Sequence, residues 1–309
     1  MASLHHLAPP RRLVKTGAIL LLASILLGAA VRAEPESLTV QVVAADGSET
    51  NKGVAVALRR RLQAGPTAND INRRPLKSRP LFVAVGAAAL RSLLSQGAEG
   101  AILAVSCTSQ SYHDIIEDFP ARAVQVSAIF SDPAPLVQLQ LLALLYRQSP
   151  SAGVILSPRS AYLEPLLQRA AAQTGVRLTV VYHDDSAKLN QTLAGLADVQ
   201  ALLATPDSSV YNPDTVRNIL LTAYRRNQAV VGYSPALVRA GALATSYADT
   251  DDLLAQVDEL VTGFANTGRL PEPQFPRYFS VLFNENVARS LNIPIEAPVR
   301  QLSRKGPQR

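Results

Sequence analysis

The chain has 309 residues, 48% of them hydrophobic, with 30 Lys and Arg against 24 Asp and Glu for a net charge of +6. Four bases fall in the first 33 residues (Arg11, Arg12, Lys15, Arg32) and four after Pro298 (Arg300, Arg304, Lys305, Arg309), neither stretch holding an acid, so the body between carries 22 bases against 24 acids. A body near −2 excludes the concentrated basic surface of a nucleic-acid binder, the lone Cys107 excludes an internal disulfide, and the length allows two lobes with large apolar cores.

The first segment places Arg11, Arg12 and Lys15 before the apolar run Thr16–Ala30 and the small-residue pattern Val31-Arg32-Ala33. That is the layout of a secretory leader, and the run falls short of the roughly 20 apolar residues a spanning helix needs. Cleavage is expected after Ala33, with a mature chain of Glu34–Arg309. No Cys stands at the cleavage position, which argues against a lipid anchor.

Short β-branched runs then alternate with Ala/Leu-rich segments of helical period. Leu38–Ala45 reads as a strand and Asn51–Gln63 as a helix. Ala64–Pro80, with three prolines and four bases, reads as a loop. Strands are expected at Leu81–Gly86, Ala101–Ser106 and Val124–Phe130, with helices at Ala87–Gln96 and Ser111–Asp118. A break at Ser131–Pro135 precedes a second series. Its helices are Pro135–Gln148, Ala161–Thr174, Ser186–Ala197 and Pro213–Gln228, and its strands are Gly153–Ser157, Arg177–Tyr182, Val199–Ala204 and Ala229–Gly232. The turn Ser234–Arg239, strand Ala242–Tyr247, helix Asp251–Thr267, strand Tyr278–Phe283 and helix Glu285–Leu291 complete it. Alternation with nearly continuous apolar strands argues for parallel sheets covered on both faces. One eight-unit barrel is an alternative, but the break at Ser131–Pro135 favours two doubly wound lobes.

Catalytic and metal signals are weak. Beyond the leader only His113 and His183 remain, without the spacing of a metal pair. No nucleophile elbow occurs. Cys107, six residues before His113, reads as a small buried residue at a strand end. His183-Asp184-Asp185 reads as a capped turn, and Glu164, Asp207, Asp214, Asp251 and Asp252 as carboxylates at helix starts. Small and polar residues do gather at carboxyl ends of strands: Asp46-Gly47-Ser48, Gly86-Ala87, Cys107-Thr108-Ser109, Ser131-Asp132, Ser157, Thr205 and Tyr233-Ser234. Ligands of open parallel sheets bind there, where helix N-termini offer free N–H groups. Tyr112, Tyr211 and Tyr233 stand near such ends for stacking, although a single Tyr is more often core or rim.

The run GYSPALVRAGALATSYADTDDLLAQVDELVTGF from Gly232, then YFSVLFNENVARSLNIPI, with FSDPAPLVQLQLLALL and VILSP upstream, resembles the substrate-binding family of ABC transporters that includes tryptophan- and tyrosine-type receptors. The resemblance covers roughly Leu81–Pro298. It implies a type I periplasmic-binding-protein-like fold, with crossings near Ser131, Tyr247 and Pro273. Lobe 1 would be 34–130 plus 248–272, lobe 2 131–247 plus 273–298, and 299–309 a disordered basic tail. By position it implies ligand contacts from Gly86, Ala87, Ser131, Asp132, Ser157, Tyr211, Tyr233 and Ser234, with no catalytic residue, metal or cofactor. The implied partners are a small molecule, such as an amino acid or heterocycle, and an inner-membrane permease, in the periplasm. The family's further strand–helix unit between Leu38–Ala45 and Leu81–Gly86 is replaced here by the proline-bearing loop, so lobe 1 is expected to be trimmed. A sensory module of the same fold and a secreted α/β hydrolase are the alternatives.

Overall fold

The computed structural model describes residues 38–45, 47–64, 80–122, 124–146, 149–184 and 189–307. The expected leader and most of the proline-bearing loop lie outside these residues.

The first half folds as β1 (Val40–Ala44), α1 (Glu49–Ala64), β2 (Leu81–Val85), α2 (Ala87–Ser95), β3 (Ala101–Cys107), α3 (Ser109–Asp118) and β4 (Val126–Phe130). The four strands are parallel and lie in chain order, with Val42 opposite Val83 and Val83 opposite Leu103. Successive side chains of a strand point to opposite faces. Val83, Val85, Leu103 and Val105 therefore build one core, while Ala84, Ile102 and Ala104 build another beneath α2 and α3. Both faces are covered, which is why these strands are almost uniformly apolar.

The second half holds α4 (Pro135–Tyr146), β5 (Ser151–Leu156), a 3₁₀ turn (Pro158–Leu163), α5 (Glu164–Thr174), β6 (Arg177–Tyr182), α6 (Leu189–Ala194), β7 (Ala201–Leu203), α7 (Val216–Arg225), β8 (Ala229–Val231), α8 (Pro235–Ala240) and β9 (Ala244–Tyr247). After these come α9 (Thr250–Thr267), β10 (Ser280–Phe283), α10 (Glu285–Ser290) and α11 (Ala297–Gln301). The sheet order is β10-β9-β8-β7-β5-β6, parallel except for β10, which runs antiparallel to β9. The same alternation gives two cores: Val154, Leu156, Leu203 and Val231 face one way, Ile155, Leu202 and Val230 the other. The protein is thus α/β with two separately cored sheets.

Three chain segments pass between the sheets. Residues 131–134 lead from β4 to α4. Beyond β9 the chain returns, and α9 packs Leu254, Val257 and Val261 into the first sheet's core beside Val54 and Leu58 of α1. Asp249 caps α9, accepting the Asp252 N–H at 2.9 Å. The chain then runs along β4, where Gln274 accepts the Phe130 N–H and donates its own to Ala128, both at 2.9 Å, before joining the second sheet as β10.

The carboxyl-terminal residues correct an expectation. A disordered tail is expected over 299–309, yet Val299 is buried in the second sheet's core and Phe279 and Arg304 exchange two backbone hydrogen bonds. Lys305 then reaches Asp249 at 2.7 Å and Asp252 at 3.0 Å. Gly306 lies so close to α9 that a Cβ there would stand 2.6 Å from that of Ala255. The tail is a fourth link between the two halves, held because its charges meet carboxylates that α9 has already fixed. Among the described residues no helix is long and apolar enough to cross a membrane.

Candidate ligand cleft

The cleft lies between the carboxyl ends of β3 and β4 on one side and those of β5, β7 and β8 on the other. At its inner end is Asp132, on the first crossing segment and only 3% exposed. Ser109, opening α3 in lobe 1, donates its backbone N–H to Asp132 Oδ1 at 2.6 Å and its hydroxyl to Oδ2 at 2.7 Å. The Ser109 oxygen also lies 2.8 Å from the Tyr162 hydroxyl of lobe 2. Ser109 has one hydroxyl proton, and Asp132 receives it, so Tyr162 is the donor in that pair. Burial pushes the Asp132 pKa up to about 6, with the Ser109 hydrogen bonds opposing it.

A second carboxylate, Asp207, is fully buried in the loop after β7. It accepts Ser157 N–H at 2.9 Å, Ser160 Oγ–H at 2.5 Å, Ser209 N–H at 2.9 Å and Gln110 Nε2–H at 3.2 Å. Burial acts to raise its pKa, but the bonds from Ser160, Ser157 and Gln110 prevail and hold the carboxyl below its ordinary value. Asp207 therefore opens no helix, contrary to expectation; it receives donors from both lobes. Gln110 also accepts the Ser208 N–H and hydroxyl at 3.0 and 3.1 Å. Nearer the surface Arg159 pairs with Asp114, and the His113 ring lies 4.1 Å from that of Tyr162.

These contacts leave a cavity of about 20 Å³ lined by Asp132, Gln138, Leu163, Thr205, Tyr233 and Phe275 among others. That is room for about one water. The Thr205 hydroxyl on its wall is buried without a partner, as is the Tyr211 hydroxyl behind Tyr233. The Tyr211 and Tyr233 rings meet edge to face at 6.1 Å.

Of the eight residues expected to contact a ligand, Asp132 and Tyr233 line the cavity together, while Ser157 donates its N–H to Asp207 and caps the following turn, accepting the Arg159 N–H at 3.2 Å. Tyr211 is 6% exposed and packs in the core of lobe 2. Ser131 is exposed on the crossing segment, its N–H bound by the Cys107 carbonyl at 2.9 Å. Gly86 caps α2 with φ 87°, and Ala87 packs against the lobe 1 core. Ser234 caps α8, accepting the Leu237 N–H at 3.3 Å. Ser109 and Thr205 stand out in the sequence as strand-end polar residues. Gln110, Tyr162 and the acceptor role of Asp207 do not, their only signal being polar residues just beyond strand ends.

Other sequence candidates sit apart from this chemistry. Cys107 is buried, and desolvation followed by the Asp132 charge pushes its thiol up to about 12. His183 is buried with Nδ1 3.0 Å from the Thr192 hydroxyl. Among the described residues no group of three His, Cys, Asp or Glu side chains is placed to hold a metal.

No protein-family profile and no curated protein sequence matches the chain, but solved structures do. A conserved domain protein from Vibrio cholerae aligns over 87% of this chain and 100% of its own, at 20% identity and TM-score 0.54. An ABC domain from Streptococcus pneumoniae in complex with L-Trp covers 84% of this chain and 97% of its own, at 13% identity and TM-score 0.54. A ligand-free, open substrate-binding protein with adhesive properties from Clostridium difficile covers 87% and 98%, at 11% identity and TM-score 0.60. The fold is therefore that of ABC-transporter substrate-binding proteins, the type I periplasmic-binding-protein-like arrangement.

Proposed function

We propose that this protein is the periplasmic solute-binding component of an ABC-type importer, exported by its leader and delivering a small molecule to an inner-membrane permease. The ligand would enter between the lobes, with Asp132, Ser157 and Tyr233 among its contacts, and no bond would be made or broken. The observation that carries this reading is how the cleft is held shut. Each lobe has its own apolar core, with Phe275 touching both, and apart from the His113–Tyr162 ring contact the ties across the cleft mouth are polar: Ser109 to Tyr162, Gln110 to Asp207 and Ser208, Asp114 to Arg159. Polar pairs exchange with water or ligand groups at small net cost, whereas a shared apolar core would resist opening. The likeness to substrate-binding proteins over most of both chains supports the same reading.

The test is a thermal-denaturation screen of the exported, processed protein against amino acids, nucleosides, sugars, amines and vitamins. A solute that binds the folded state stabilises it by mass action, by about 2.7 kcal/mol at a hundred times its Kd, and so raises Tm. A saturating solute that also draws the lobes together in small-angle scattering is the expected result. No shift across the screen would overturn the reading.

A further inference from the structure

Resting on that reading, we infer that the ligand is recognised through a protonated amine received by Asp132 at the inner end of the cleft, with its apolar or aromatic body between Leu163, Tyr233 and Phe275 once the polar ties release and the walls part beyond their present one-water spacing.

The argument begins with charge. Asp132 is a carboxylate taken out of water, and buried charges are ordinarily paired with an opposite charge. Among the described residues its only side-chain hydrogen-bond partner is Ser109, and none of them that lines the cavity beside it is Lys, Arg or His. An ionised carboxylate accepts at about four lone-pair sites, and Ser109 fills two, so acceptor capacity remains. The raised pKa is the same imbalance seen from the proton side.

The second observation is independent. Thr205 is 5% exposed, lines the same cavity, and its hydroxyl has no partner among the described residues. A buried hydroxyl left unpaired costs free energy unless something supplies the bond. Of the other polar side chains on this wall, Gln138 donates to the Gly232 carbonyl and accepts from the Ser246 N–H and hydroxyl, so it has little left to offer, while Tyr233 is less deeply buried and presents a hydroxyl and a ring face. Asp132 and Thr205 are therefore deeply buried polar groups with acceptor capacity to spare, and both can accept from an ammonium with several donors. The remaining walls are apolar, and Tyr233 and Phe275 provide aromatic surface of the kind that attracts a cation.

A zwitterion is poorly matched. Arg159, the guanidinium that ties the cleft mouth, is already paired with Asp114. The amine, rather than a carboxylate beside it, is the determinant.

The matched probes are phenethylamine, 2-phenylethanol and phenylacetate, which share a ring and chain but differ in charge, followed by amines from methylamine to tryptamine. Binding is read by thermal shift and calorimetry on the whole processed protein. At least one amine is expected to bind, its alcohol and carboxylate counterparts at least tenfold more weakly. Asp132→Asn, checked for folding by circular dichroism, is expected to lose at least tenfold in amine affinity, and Thr205→Val severalfold. Should Asp132→Asn destabilise the fold, Thr205→Val carries the test alone. Equal binding of the neutral or anionic counterpart, or full amine affinity in folded Asp132→Asn, overturns the inference. A neutral or anionic solute that binds while every amine fails overturns it and leaves the receptor reading standing. Silence from solutes of every charge removes both.

Discussion

The side-chain oxygen of Gln110, in lobe 1, receives both the backbone N–H and the hydroxyl of Ser208, in lobe 2, while the same amide donates to Asp207. One side chain thus makes three hydrogen bonds across the cleft. Gln110→Ala removes them all; the two from Ser208 are neutral and worth about 1 kcal/mol net each, and the one to the Asp207 carboxylate somewhat more, before water replaces them in the open cleft. The expected outcome is a shift of about 1–3 kcal/mol toward the open arrangement. Distance distributions between spin labels on the two lobes would show it. An unchanged distribution would mean that the polar ties do not hold the cleft shut.

Asp132 and Asp207 give opposite pH signatures. Asp132 rises from 3.8 unfolded to about 6 folded, so between these values the native state binds more protons and loses stability as pH rises. Asp207 is lowered, so its contribution is present above its unfolded pKa and lost as pH falls through the folded one. Asp132→Asn is therefore expected to match or exceed the parent in Tm at about pH 7.5 and to lose that advantage near about pH 4. Asp207→Asn should be less stable than the parent at the higher pH. Denaturation across roughly pH 3.5–8 checks both, and a Tm for Asp132→Asn well below the parent's at the higher pH would contradict the first.

Lys305 stands between Asp249 and the buried Asp252 at 2.7 and 3.0 Å. Lys305→Met leaves Asp252 without its cation. Because Lys305 is about half exposed, solvent reduces the loss to about 1–2 kcal/mol. The deficit should narrow in about 1 M salt, where the parent's ion pair is screened. Urea titrations at two ionic strengths measure it.

Gly86 has φ 87° and ψ 159°, a region essentially reserved for glycine. Gly86→Ala is expected to lower stability by about 1–3 kcal/mol. A substitution that left the urea midpoint unchanged would mean the turn relaxes freely.

Much of the fold was legible because it is written locally. Strands such as Ala101–Cys107 are apolar on both faces, and Gly175 and Gly268 end their helices in the left-handed conformation glycine favours. What escaped depends on distant partners. Nothing near Asp207 in the chain announces that Gln110, 97 residues earlier, will donate to it. The antiparallel course of β10 follows from the chain's detour through lobe 1, and the ordering of residues 299–307 from carboxylates more than fifty positions upstream. Position at a strand end selects Asp132 and Tyr233, which the topology places on one cavity, and Ser157, which caps the turn beside Asp207. It also drew in Gly86 and Ser234, whose work is turning and capping the backbone.

The clasp formed by Lys305 and Gly306 changes how any opening of the jaws must proceed. It seizes α9 immediately after the strand that leaves β9, so rotation about the three crossing segments alone would stretch it. Either the last turn of chain swings as a rigid spoke with α9, or it unbuttons first. In the second case the separation of the two sheets answers to the ionic composition of the surroundings.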